Sequence, residues 1–404
     1  MDQQHSRLQK RHISLIALGF LGFIIYSLYL NGFGTNAPVM MRFYEIDAAQ
    51  QGFILTMQAF GSLAALIFIA LHGERYNKIN AFFLGMMLFG VGSITLGLAP
   101  PYFALIFLIM LCGVGLSTAD AMMNGIIPEL FPKQKNTLLP LLHAFFGLGA
   151  MCAPIFFTVL VNPNVPSTFT RPFLLIGALL ISFSIVFVIL TRRLIPETPY
   201  ADMTAMRKRV AKNPAEIFKS AKAWLFLLAG TLHFSFATGI ISWLPTYCQE
   251  IGIDFNTSGT ILTMFFVGSL VMRFCGPLIL KKINPHTFYI IFTLIAASLA
   301  TAALLVNNVT IMIVLLVCSG FMQGSNVALL VLMCTSAFPQ RIASASAVPF
   351  MAASISSMTA PLWMGAIAEQ IGFQIPLLMI CAMLALSVVP ILLTKAKNEI
   401  NPNH

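Results

Sequence analysis

The sequence predicts an all-α polytopic membrane protein with twelve transmembrane helices, arranged as two parallel six-helix repeats. Hydrophobic residues make up 58% of the 404 positions and charged residues only 9%. A soluble domain carries about 25% charged residues, so a soluble enzyme is excluded. A third observation, a motif shared by the two halves of the chain, predicts the repeat.

Twelve apolar runs justify the number of helices, because a membrane-spanning helix needs about 20 predominantly apolar residues. Turn-forming residues such as Asn31-Gly32, Pro100-Pro101 and Asn307-Asn308 fall between runs. The runs cover residues 13–31, 52–71, 79–98, 102–127, 137–161, 173–190, 223–247, 258–280, 287–306, 310–336, 342–367 and 375–394.

Basic residues are distributed unevenly around these runs and predict the orientation of the chain. Of the 23 Lys and Arg, all but Arg42, Arg171 and Arg273 fall on the side that holds both termini. Cytoplasmic loops carry the excess of Lys and Arg, so we expect both termini in the cytoplasm and the chain in the bacterial cytoplasmic membrane. The net charge of +10 then reflects topology, and no nucleic-acid partner is expected.

An internal repeat indicates a duplicated architecture. Residues 52–63 recur as residues 259–270 with eight of twelve positions identical, a separation of 207 residues. Both copies begin on the same side of the membrane, which is the arrangement of transporters whose halves move about a site near the midplane. We therefore predict an N-terminal bundle over 1–190, a cytoplasmic linker over 191–222 and a C-terminal bundle over 223–404.

Asp120 is the acidic residue that cannot be placed in a loop, a tail or a span end. An ionisable side chain inside the bilayer is costly and usually marks an ion path or cavity, although a hydrogen-bonded structural role is the alternative. His143 lies about as far from the turn between spans four and five as Asp120 does. A carboxylate and an imidazole can exchange a proton near physiological pH, so the pair is the predicted proton-coupling site.

Further polar residues lie near the middle of apolar runs and are candidates for solute binding. Buried amides and imidazoles are costly unless paired, so they either bind a polar solute or bond across helices. Trp243 could stack on a solute or anchor its helix at the membrane interface. The predicted substrate-binding residues are Asn124, Gln58, His233, Trp243, Gln323 and Asn326.

The loop between spans two and three resembles a gating motif of the major facilitator superfamily, Gly-x-x-x-Asp-Arg-x-Gly-x-Arg-Lys. Glu74 and Arg75 fill its acidic and basic pair, and Lys78 and Arg273 are the further basic residues assigned to the gate. The sequence departs from the motif at Ala70 and Asn77, which replace its two glycines. The resemblance covers essentially the whole chain and implies the fold of that superfamily.

Within that superfamily, residues 113–124, 143–150 and 243–247 are similar to the fucose:proton symporter branch and its sugar-porter relatives. The resemblance implies that Asp120 or Asn124 contributes to proton coupling or hydroxyl binding, and Trp243 to the solute site. The first span lacks the acidic residue expected of the fucose symporter itself, so fucose is not implied as the substrate.

The functional hypothesis is a monomeric, proton-coupled symporter for a small polar solute such as a sugar or sugar derivative. The alternative is a proton-driven exporter of amphipathic or drug-like compounds, because many Met and Phe residues could form an adaptable apolar lining. No phosphate-binding loop and no cysteine pattern of a metal site are present in the sequence. We therefore expect neither a cofactor nor a metal, and a membrane-embedded enzyme is disfavoured.

Overall fold

The computed structural model describes residues 2–72, 76–130, 134–194 and 214–400. In the first half of the chain these residues form helices α1 (Asp2–Tyr44), α2 (Ala48–His72), α3 (Lys78–Gly97), α4 (Tyr102–Leu130), α5 (Lys135–Leu160) and α6 (Thr170–Leu194). In the second half they form α7 (Ala221–Glu250), α8 (Phe255–Ile279), α9 (Pro285–Leu305), α10 (Val309–Gln323), α11 (Asn326–Ala337), α12 (Ile342–Ile371), α13 (Gln374–Leu386) and α14 (Val388–Ile400).

Twelve segments among the described residues are long and apolar enough to cross a membrane. The predicted all-α fold with twelve spans is thereby confirmed. Two spans are interrupted: α10 and α11 share the tenth span and are separated at Gly324-Ser325, and α13 and α14 share the twelfth and are separated at Ser387.

Helix α1 differs from the predicted first span, which was expected to end near Asn31-Gly32. The helix continues to Tyr44 and carries Pro38 in its interior. Asn31 does not interrupt it, because its amide donates to the backbone oxygen and the hydroxyl of Ser27, each at 3.0 Å. A polar side chain whose hydrogen bonds are satisfied within its own helix can lie inside that helix without ending it.

The chain divides into two compact units. Unit 1 comprises Met1–Gly32, Met57–Phe156 and Leu160–Lys212, and unit 2 comprises Phe33–Thr56, Phe157–Val159 and Asn213–His404. The boundary between units therefore falls inside α1, inside α2 and twice near the end of α5. The predicted linker over 191–222 stays a prediction, because most of it lies outside the described residues.

Glycine contacts show the duplication at the level of helix packing. A Cβ atom added at Gly61 would collide with the carbonyl oxygen of Met110, and one at Gly268 would collide with that of Val317. Gly61 and Met110 become Gly268 and Val317 when 207 is added to each number. The pairs Gly113 with Gln58 and Gly320 with Phe265 repeat in the same way: α4 crosses α2 as α10 crosses α8.

Within unit 2, residues 33–56 pack closely on α7 and α12. A Cβ atom added at Gly34 would collide with the carbonyl group of Ile241. One added at Gly52 would collide with the carbonyl group of Pro361, and one at Gly365 with the carbonyl group of Ala48. The first turn of α2 is also capped across this contact, because the amide of Ala48 donates to the carboxylate of Glu369 at 3.1 Å. The hydroxyl of Thr56 donates to the carbonyl of Met358 at 2.7 Å. Missing side chains at the glycines allow these backbones to approach.

Candidate functional site

Asp120 and Asn124 form one polar pair on helix α4 of unit 1. The Asn124 amide donates to the Asp120 carboxylate at 3.1 Å and to the Asp120 backbone oxygen at 2.9 Å. Both side chains are half-buried, whereas the neighbouring Ala119 and Met123 are each 1% exposed. Asp120 lies seven residues inside the span end at Ile127, about 10 Å along a helix.

Aromatic residues of α1 lie beside both predicted proton-coupling residues. The Asp120 carboxylate interacts electrostatically with the hydroxyl of Tyr26. The ring of Phe23 contacts Tyr26 at 5.6 Å and meets His143 edge-on at 6.5 Å between centroids. One turn of α1 thus carries Tyr26, which is within electrostatic range of Asp120, and Phe23, whose ring contacts that of His143.

Helix α1 packs closely against α5 along the turns that carry Ile24, Tyr26 and Ser27. The Ser27 hydroxyl donates to the carbonyl of Phe146 at 2.6 Å, and the Tyr26 ring lies 5.6 Å from that of Phe146. A side chain at Gly149 would meet the backbone of Ile24. Sequence reasoning missed Tyr26, although Tyr26 and Tyr29 are two hydroxyl-bearing rings inside the first apolar run.

Gln58 lies on α2 where that helix crosses α4. Its side chain is buried, and its amide oxygen has no hydrogen-bond partner among the described residues. The backbone around it is fixed, because Gly113 packs on its carbonyl group. Gln58 is therefore a rigidly placed residue with an unused acceptor.

A buried polar network in unit 2 joins the two interrupted spans. The Asn326 amide donates to the hydroxyl of Thr293 at 3.0 Å and to the side-chain oxygen of Gln323 at 3.4 Å. Tyr289, one turn before Thr293 on α9, hydrogen-bonds with Thr293 and also with Ser387 at 3.0 Å. The network therefore begins at the break between α10 and α11 and ends at the break between α13 and α14.

His233 of α7 lies beside this network. Its ring is 5.9 Å from that of Tyr289, and the side chain is 2% exposed. Among the described residues, the Nδ1 atom of His233, the Nε2 atom of Gln323 and the Oδ1 atom of Asn326 have no hydrogen-bond partner. Sequence analysis missed Tyr289 and Thr293, whose spacing of four residues inside an apolar run places them on one helix face.

Trp243 is placed differently from the other candidates. It is fully buried, its indole N–H donates to the carbonyl of Pro361 at 3.3 Å, and its ring packs on Phe373 at 4.9 Å. These contacts belong to the region of unit 2 on which residues 33–56 pack. In this conformation the ring offers no face to a solute, and the stacking role stays a prediction.

The gating residues are described in part. Glu74 and Arg75 lie outside the described residues. Lys78 begins α3, and its side chain lies against Gly125 of α4. Asn77, which stands where the motif has a glycine, caps α3 by accepting hydrogen bonds from the amides of Ile79 and Asn80 at 3.0 and 3.2 Å. Arg273 is half-buried on α8.

Comparison with known proteins identifies the family. The family model described as Major Facilitator Superfamily matches residues 19–297 and 249–403. The chain belongs to the Major Facilitator Superfamily. It is therefore a membrane transporter of the secondary active type and not an enzyme.

Individual members of the superfamily are distant from this chain. It is 22% identical over 355 residues to the inner membrane transport protein YdiM of Escherichia coli, covering 86% of this chain and 85% of that protein. A bacterial homologue of the human lysosomal transporter Spinster, solved in an inward-facing and unoccupied conformation, superposes with a TM-score of 0.78 at 14% identity over 96% of both chains. The fucose:proton symporter FucP of E. coli gives a TM-score of 0.64 at 16% identity, covering 95% of this chain and 98% of that chain.

Proposed function

We propose that the protein imports a small polar solute together with protons, by alternating access, and that the solute is a sugar or sugar derivative. The observation that carries the proposal is the Asp120–Asn124 pair inside the fourth span, with Tyr26 within electrostatic range of the carboxylate. A carboxyl group inside a membrane helix needs polar partners, and its protonation state is the simplest means of coupling to a proton gradient.

The chemistry of the two units favours a neutral, hydrogen-bonding solute. The unused atoms of Gln58, Gln323 and Asn326 are an acceptor, a donor and an acceptor. Sugar hydroxyls both donate and accept, so they can satisfy such atoms in either unit without bringing a net charge into the membrane. We propose these three residues, with Asn124, His233 and Trp243, as the solute-binding set, and His143 as a proton-coupling partner of Asp120.

One solved structure of the same fold carries a name that agrees with this chemistry. FucP is a fucose:proton symporter by name, and its fold matches this chain over nearly its whole length.

We further propose that Glu74, Arg75, Lys78 and Arg273 form the gate, that the chain functions as a monomer, and that both termini are cytoplasmic.

The decisive variant is Asp120→Asn. Wild-type protein in proteoliposomes is expected to accumulate a labelled monosaccharide when the outside is acidic, whereas Asp120→Asn should lose accumulation and keep solute exchange. The isosteric amide can still hydrogen-bond with Asn124 but cannot exchange a proton at neutral pH. Accumulation of the sugar by Asp120→Asn at the wild-type rate would contradict the assignment.

A matched control is Asp254→Asn at the start of α8. This carboxylate is exposed, and hydrogen bonds from the side chain and backbone of Thr257 hold its pKa below the usual value. Asn caps helices as well as Asp does, so uptake should be unchanged.

The solute class is found by thermal-shift screening, because a bound ligand raises the melting temperature by mass action. Monosaccharides and sugar derivatives are expected to stabilise the protein. Stabilisation by amphipathic compounds instead, with outward transport driven by protons, would favour the alternative function of an exporter.

A further inference from the structure

A cavity of about 450 Å³ lies at the end of unit 2 where α7 and α12 begin. It is lined by Ile217, Lys219, Ser220, Phe338 and Arg341. Two basic side chains and a hydroxyl therefore share one cavity with two apolar side chains. None of these residues belongs to the solute or proton site proposed above.

The walls of this cavity are fixed to the helix bundle. Ile217 is 2% exposed and belongs to the apolar core of unit 2. The indole N–H of Trp224 donates to the carbonyl of Phe218 at 2.8 Å, and the two rings lie 5.3 Å apart. The short 3-10 segment Pro214–Lys219 is thus locked onto α7, which holds Lys219 at the cavity.

The cavity lies at the level where helices leave the membrane. Its lining residues come directly before the span that starts at Ala221 and directly after the span that ends at Ala337. Trp224, one turn into α7, is 56% exposed. Tryptophan is enriched at the boundary between lipid and water, so its position agrees with this level.

Positive charge is concentrated at this end of unit 2. A second cleft of about 80 Å³ at the same end is lined in part by Lys222, His286 and Ser336. Among the described residues of unit 2, the acidic residues of this end are Glu216 and Glu399, and five others lie at the opposite ends of the spans: Glu45, Asp47, Glu250, Asp254 and Glu369.

We propose that the cavity lined by Lys219 and Arg341 binds the phosphate headgroup of an anionic membrane phospholipid. Arg and Lys are the side chains that pair with phosphate oxygens, and Arg does so through two parallel hydrogen bonds. Basic pockets between transmembrane helices bind anionic headgroups. The apolar side chains of Ile217 and Phe338 line the same cavity and offer packing to the glycerol and acyl part of a lipid, which a soluble anion lacks.

The proposal is tested on the purified full-length protein by titrating lipid and following the melting temperature. Phosphatidylglycerol is expected to stabilise the wild type, and phosphatidylcholine to have little effect. The double variant Lys219→Gln/Arg341→Gln should bind phosphatidylglycerol about 30-fold more weakly, since each basic residue near a membrane surface contributes roughly a 5-fold effect.

The matched control removes two charges from the same end of unit 2. Lys281 and Lys282 are exposed in the connection between α8 and α9, outside the cavity lining. Lys281→Gln/Lys282→Gln should retain most of the affinity. An equal loss in this control would show general surface attraction and would overturn the proposal.

Three further results would also overturn it. These are equal stabilisation by the two lipids, unchanged affinity in the cavity variant, and the same stabilisation by millimolar inorganic phosphate without lipid. The last result would reassign the cavity to a soluble anion. If the double variant does not fold, the exposed Lys219→Gln variant is expected to weaken binding about 5-fold, and no weakening would count against the proposal.

Discussion

Two buried amides of this protein, Asn31 and Gln323, are held in opposite ways. Asn31 is 2% exposed, and its amide donates to two acceptors of Ser27. Gln323 is 9% exposed, and its Nε2 atom has no partner among the described residues. A buried donor without a partner costs about 1–3 kcal/mol. Such a cost is typical of residues kept for function at the expense of stability.

Gln323→Leu should therefore raise the melting temperature while it weakens solute binding. Removal of an unsatisfied donor is expected to stabilise the fold by about 1 kcal/mol, and leucine has a similar volume. The variant also removes the 3.4 Å hydrogen bond that the Gln323 oxygen accepts from Asn326, but the Asn326 amide keeps Thr293 as its partner at 3.0 Å. Thermal unfolding with and without the solute measures both effects. Asn31→Leu is the control, and it should lower the melting temperature because it removes satisfied hydrogen bonds.

If Gln323→Leu is as destabilising as Asn31→Leu, Gln323 is a structural residue.

The sequence indicated Gln323, Asn326 and Asp120 because polar residues inside apolar runs stand out by composition. It did not indicate which of their atoms lack partners, because a hydrogen bond between helices depends on rotations about the helix axes.

At the scale of helices, the repeated glycine contacts determine how closely neighbouring spans approach. The sequence repeat contains Gly61 and Gly268, and Gly113 and Gly320 hold the same register. The sequence does not indicate that Gly61 and Gly268 pack on the carbonyl groups of Met110 and Val317, because every residue supplies a backbone oxygen. The repeat was therefore predictable, and the contacts that preserve it were not.

Gly113→Leu and Gly320→Leu should each destabilise the protein. A side chain at either position meets a carbonyl oxygen of the neighbouring helix, and overpacking of this kind costs about 1–3 kcal/mol. The two variants should show similar losses of melting temperature, since the contacts are equivalent. Ala104→Leu, at an exposed position of α4, is the control and should be neutral. Tolerance of leucine at both glycines would contradict the packing.

The interrupted spans show where sequence patterns are insufficient. The apolar run over 310–336 is continuous, and Gly324 is a weak signal inside it, since glycine is tolerated in transmembrane helices. The break between α10 and α11 is explained by a contact with a neighbouring helix, because the Ser325 hydroxyl donates to the carbonyl of Met272 at 3.2 Å. For Asn31 the reasoning erred in the other direction, because an Asn-Gly pair usually marks a turn.

At the scale of the whole chain, charge asymmetry is the property from which orientation is predicted. Described basic residues such as Lys219, Lys281, Lys282 and Arg341 lie at one end of the spans of unit 2, where Glu216 and Glu399 also fall, and five acidic residues lie at the other end. Membrane insertion responds to the basic residues and much less to the acidic ones. The orientation can therefore be tested without knowledge of the substrate.

Reporter fusions should place both termini in the cytoplasm. Green fluorescent protein fused after His404 is expected to fluoresce, and alkaline phosphatase inserted at Asn164, between α5 and α6, is expected to be active outside the cytoplasm. Phosphatase fused after His404 serves as the negative control and should be inactive. The reverse pattern would overturn the predicted orientation.

The assignment of Phe33–Thr56 to unit 2 has a practical consequence for dissecting the protein. A fragment ending near residue 190 would carry the last turns of α1 and the first turns of α2 without the surface that buries Gly34 and Gly52. Those backbones would face lipid or water with their closest neighbours missing. Two halves encoded as separate fragments should therefore be co-expressed in one cell, so that each supplies the packing surface that the other lacks.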